Sequence, residues 1–132
     1  SGLGLADITE IEFVTTAFDK SDGGNLDVLV RFNEEVDVNT SGGTPFVLVS
    51  NDTSSRNVQC AYLSGTGSNE LTFRKVIGAG ASDTNAGDEL SIGTNALNLN
   101  SGTIRDKGTN DNSTITNSAT IGTAAGTITV AA

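Results

Sequence analysis

Glu34, Glu35 and Asp37 place three carboxylates within four residues, directly after the apolar run that ends at Phe32. Paired acids are the one catalytic device open to this chain, because a glycosidase needs only two carboxyl groups flanking a groove. Histidine is absent and cysteine occurs once, as Cys60. Ser-His-Asp and Cys-His nucleophile systems, histidine-bearing zinc sites and thiolate clusters are therefore excluded. Adjacent Glu34 and Glu35 project to different sides of an extended chain, and the aromatics that usually line a sugar-cleaving groove make up only 5% of the residues. The three acids read as solvated turn carboxylates, and the chain reads as a non-enzyme with no catalytic residues.

Calcium is the better chemical candidate, since it takes six to eight oxygens from carboxylates, amides and backbone carbonyls. One loop offers Asp19, Asp22 and Asp27 spaced around Gly23 and Gly24; a second offers Asp106 and Asp111 beside Asn110 and Asn112. Neither has the closing Glu of an EF-hand, and Asp, Asn and Gly clusters are also the ordinary stuff of turns. No other cofactor is expected, because no Gly-rich loop is followed by Lys-Ser or Lys-Thr to cradle phosphate. The glycosylation sequons at Asn39, Asn51 and Asn112 are what chance supplies in a chain this rich in Asn, Ser and Thr.

The net charge of −9 repels phosphate backbones and anionic membrane surfaces, so neither nucleic acid nor membrane is an expected partner. The same charge favours solubility and resists self-association. No apolar run approaches 18 residues, and no basic segment leads into an apolar one, so neither a membrane span nor a secretion signal is read. Ser1 is the kind of small residue left when an initiator Met is removed, which suits a complete, cytoplasmically made protein; a cloning scar would look similar. Cys60 reads as a small buried hydrophobe.

The elements that must position these residues are strands. Leu26, Val28, Val30 and Phe32 alternate with Asp27, Leu29 and Arg31, the period of a half-buried strand. Ile11 and Phe13 precede them across a turn-forming stretch. Strands are read again in Pro45 to Val49, in Val58, Cys60 and Tyr62, in Leu71 to Val76, around Leu90 and Ile92, at Leu97 and Leu99, at Ile104, and at least once between 114 and 130. Residues 78–88 have nothing to bury and read as a surface loop. Eight to ten short strands with no helix-period patterning predict an all-β antiparallel sandwich, with a jelly roll or small barrel as the alternative. Residues 1–132 form a single domain, with 1–7 an extended N-terminal arm and 122–132 a C-terminal strand or tail.

Four stretches in order carry a family resemblance: Val30 to Val38, Gly43-Thr44-Pro45-Phe46-Val47-Leu48, Ala61 to Phe73 with its Tyr-x-Ser-Gly-x-Gly and Leu-Thr-Phe pieces, and Leu97 to Asp106. Together they resemble the Ig-like repeats of large bacterial surface proteins, the group that includes the cyanobacterial swarming-motility type repeat, over residues 10–112. Asn33 stands where that family commonly has Ser, and Gly108-Thr109-Asn110 interrupts the usual Gly-Asn after Asp106. The resemblance implies an Ig-like β-sandwich used as a spacer, adhesive or surface module, without catalytic residues to carry over. Such domains also occur singly on phage particles. The leading expectation is thus a virion decoration or accessory protein at the virion surface. It would dock on capsid or tail subunits, or on copies of itself, through Leu3 and Leu5 in the arm or Ile128 and Val130 in the tail. The alternatives are an excised repeat of a bacterial cell-surface adhesin and a carbohydrate-binding module contacting cell-surface glycan.

Overall fold

The computed structural model describes residues 6–51, 57–80, 86–113 and 115–131. Among the described residues the chain is all-β apart from one short helix. Its strands are β1 (Ile8–Phe13), β2 (Phe18–Asp19), β3 (Gly24–Asn39), β4 (Phe46–Asn51), β5 (Val58–Ser64), β6 (Ser68–Ile77), β7 (Glu89–Asn98) and β8 (Thr103–Asp106), followed by helix α1 (Ala119–Ala124) and β9 (Thr127–Ala131). They form one curled sheet in the order β1-β3-β6-β5-β4-β7-β9-β2, with β8 added to the far end of β3.

Alternation sets the core. Leu26, Val28 and Val30 on β3 are fully buried and Phe32 nearly so, while Asp27, Leu29 and Arg31 face outward on the same strand. Val47 and Val49, Val58 and Cys60, Leu71 and Phe73, and Leu90 and Ile92 repeat the pattern on the neighbouring strands. These side chains meet in one buried cluster, and each fully buried Val, Leu or Phe contributes about 1.5–3 kcal/mol of transfer free energy.

The chain links the two ends of the open sheet. Val14 to Ala17 carry the chain from β1 at one end to β2 at the other, where Phe18 and Asp19 run parallel to Val130 and Ala131 of β9. Helix α1 packs on both β1 and β7. An uncovered edge would offer a row of unpaired N–H and C=O groups.

Four expectations are corrected. The three acids do not lie in a turn: β3 runs unbroken through them for 16 residues and exchanges partners at Val36. Helix α1 replaces part of the expected tail, started by the Ser118 hydroxyl accepting from the Ile121 N–H. The loop over 78–88 ends on a buried residue, since Asp88 accepts a 2.8 Å hydrogen bond from the Asn51 side chain. Finally, Ile128 and Val130 are not docking residues: they lie in the chain's own core at 2% and 1% exposure, because β9 is seated between β7 and β2. Leu3 and Leu5 lie outside the described residues.

Candidate functional site

The three acids occupy an irregularity in β3. Between Arg31 and Val36 this strand advances five residues while β6 advances two, from Glu70 to Ser68. Beyond it β3 pairs with β8, Val36 to Asp106 through Asn39 to Thr103. Extra residues in one strand bend it and re-aim its side chains. Glu34 is half-buried, whereas Glu35 and Asp37 are exposed. Backbone contacts from other elements fix the bend: Lys107 N–H donates to the Glu35 carbonyl at 3.0 Å and Gly67 N–H to that of Val36 at 2.7 Å. The Thr66 hydroxyl accepts from Val38 N–H at 2.8 Å. The acids are thus split between two sides, and Asp37 lines a cavity.

That cavity is a cleft of about 420 Å³ between the far end of β3, the turn at 40–43, the turn at 99–102 and β8. Asp37, Asn39, Ser41, Ser101, Thr103, Arg105 and Asn110 give it a largely polar lining. Its two turns meet backbone to backbone. A Cβ at Gly43 would run into the Asn100 carbonyl, and one at Gly102 into the Gly43 carbonyl, with the Asn39 carbonyl oxygen 3.0 Å away. Asn100, Ser101 and Asn110 hold positive φ angles of 49°, 71° and 62°. Non-Gly residues adopt that region only when their surroundings impose it. Here bonds that fix these turns are visible: Asn100 N–H donates to the Asn98 side chain at 2.8 Å and its own amide to the Thr44 carbonyl at 3.2 Å, Gly102 N–H donates to the Leu99 carbonyl at 2.8 Å, and Asn110 N–H to the Asp106 carbonyl at 2.7 Å.

The calcium candidates do not converge. Asp19 accepts from the Ser21 N–H and hydroxyl at 2.9 and 2.7 Å, and these bonds hold its carboxyl below the usual carboxylate range. Asp22 is exposed. Asp27, across the sheet, is committed to a two-pronged ion pair with Arg74 at 2.7 and 2.8 Å. Asp106 is buried and accepts from Gly108 and Thr109 N–H at 2.8 and 3.0 Å, shaping the turn that returns at Asp111. Asp111 is exposed. Among the described residues no three Asp, Glu, Cys or His side chains gather as a metal site.

The outer face of β1, β3, β6 and β5 is a second ordered surface. Arg31 is held by Glu10 and Glu70, the latter at 2.7 Å, with Glu12 at 3.9 Å. Exposed Val14, Leu63 and Val76 interrupt these charges. Beneath it Cys60 is fully buried with its sulfur 3.6 Å from the Leu26 carbonyl, and burial pushes its thiol up to about 12. A thiol held in that state is a packing group and not a nucleophile. Among the described residues no helix is long and apolar enough to cross a membrane.

Sequence reasoning missed the cleft because its walls are joined by contacts between residues roughly sixty positions apart, Gly43 with Asn100 and Gly102. Its only trace in the sequence is the glycine at both turns. No protein-family model matches the chain, no curated protein matches it, and no solved structure does.

Proposed function

We propose that the chain is a non-enzymatic, immunoglobulin-like structural module that docks onto a larger protein assembly, as a decoration or accessory component of a virion. The strand order is the observation that carries the immunoglobulin-like reading. In such sandwiches seven strands A to G divide into an ABED sheet and a CFG sheet. With β1, β3, β4, β5, β6, β7 and β9 as A to G in chain order, β1-β3-β6-β5 follows ABED and β4-β7-β9 follows CFG. Here β5 also pairs with β4, which joins the two halves into one curled sheet, and β2 extends the A strand across to the G edge.

Fold alone does not give function. The docking role draws on the ordered motif resemblance to surface-displayed repeats and on the acidic surface, which suits display in a salty medium where repulsion between copies is screened. With Ile128 and Val130 taken by the core, the arm that carries Leu3 and Leu5 is the route to a capsid or tail subunit. The test is to delete residues 1–6 and measure co-sedimentation with purified particles stripped of the native protein. Loss of binding by a chain that still melts cooperatively is the expected result; undiminished binding overturns the arm as the docking element. The motif resemblance equally fits a repeat of a bacterial adhesin, and further copies of the same repeat in the parent gene would favour that reading instead.

A further inference from the structure

We propose that the cleft formed where the paired ends of β3 and β8 meet the turns at 40–43 and 99–102 binds a neutral saccharide unit. Its volume of about 420 Å³ lies within the ordinary range for small-molecule sites, and a few convergent polar groups on a pre-formed frame are what fix a ligand's orientation. The frame is pre-formed here by close backbone contact at Gly43 and Gly102 and by the left-handed conformations of Ser101 and Asn110. Residues held in such conformations cluster at ligand clamps.

The ligand class follows from the groups presented. Asp37 and Arg105 are register partners on adjacent strands, and among the described residues neither side chain has a hydrogen-bond or ion-pair partner. The cleft therefore offers an acceptor-only carboxylate and a donor-only guanidinium side by side, with the Asn110 amide and the Thr103 hydroxyl supplying both kinds. A phosphate would meet one Arg opposed by Asp37 in a chain of net charge −9. A cation would meet a single carboxylate, and an apolar ligand would strand the polar lining without partners. Sugar hydroxyls donate and accept at once, and a vicinal pair can accept from Arg105 while donating to Asp37. No aromatic ring lines the cleft to stack on a sugar face, so affinity should be on the order of millimolar.

Titration of the isotope-labelled full chain with glucose, galactose, mannose, N-acetylglucosamine and their methyl glycosides, followed by backbone amide NMR, tests this. At least one sugar should give saturable shifts concentrated at residues 37–42, 101–105 and 110. Asp37→Ala and Arg105→Ala should each weaken that binding tenfold or more with the remaining amide spectrum unchanged, while Glu35→Gln, which lies outside the cleft, should not. Absence of saturable shifts for the whole panel overturns the proposal. So does a response of the same amides to glycine, acetate or calcium chloride but not to sugar, which would assign the cleft to a charged ligand.

Discussion

Asp27 and Asp37 lie ten residues apart on one strand, and each faces an Arg across the ladder: Arg74 on β6 for the first, Arg105 on β8 for the second. At the first, two hydrogen bonds of 2.7 and 2.8 Å close the pair, and the Asp27 side chain is only 15% exposed. At the second, both side chains are exposed and they do not meet. The difference comes from what flanks the strand. Around Asp27, β1 and β6 bracket β3 in regular register, so neighbouring side chains confine the carboxylate. By Asp37 the strand has passed its irregularity and has left β1 behind. One half of β3 is thus spent on holding the fold, and the other half is free to present chemistry.

That contrast breaks first at the core. Phe32→Ala removes the largest buried side chain of β3, at the point where its regular half ends, and should cost about 3–5 kcal/mol, read as a lowered urea midpoint. Glu35→Ala, three residues further along the same strand, should stay within about 0.5 kcal/mol of the parent. Comparable losses would mean that the two halves do not differ in the way their burial indicates.

Alkaline pH probes the same half through Cys60. The buried thiol ionises near 12 in the fold against its ordinary 9.0, because burial disfavours the thiolate, with the Asp27 charge adding to it. A group with a raised folded pKa contributes stability that is fully present below the unfolded value and is lost as pH rises through the folded one. Stability should therefore fall between pH 9 and about 12, and Cys60→Ala should flatten that limb in denaturant melts compared at each pH. At pH 8 thiol reagents should label the folded chain only through unfolding.

In the irregular half the sensitive positions are backbone ones. Gly43→Ala would push a methyl group into the Asn100 carbonyl and should cost about 1–3 kcal/mol while disturbing the amide resonances of residues 99–102. An unchanged melting curve would show that the two turns do not need their close approach.

What was legible in the sequence follows the same line. The period-2 pattern from Leu26 to Phe32 is a local property of the strand, and both its inward and outward faces are found as read. β3 exchanges β6 for β8 at Val36, which pairs with Ser68 on the one and Asp106 on the other, and local pattern does not register such distant partners. Helix α1 was invisible for a related reason. Asn117, which reads as a turn former, pins its approach to β7 by accepting from Ala96 N–H at 2.9 Å and donating to the Gly93 carbonyl at 2.9 Å. Tertiary hydrogen bonds of that kind replace the apolar periodicity by which a helix is recognised. The cleft inherits the same obscurity, since it exists only where two distant turns touch.

The finest discrimination lies in the two Asp-Arg pairs themselves. A double-mutant cycle on Asp27 and Arg74 should return a coupling near the top of the roughly 0.2–1 kcal/mol range for partly exposed pairs, because the two-pronged geometry is already in place and half-shielded. The same cycle on Asp37 and Arg105 should return about zero, since no bond is lost when either is removed. Added salt should shrink the first coupling and leave the second where it is. If the outer pair instead couples as strongly as the inner one, Asp37 and Arg105 close on each other in solution, and the irregularity in β3 then relocates an ion pair without opening it.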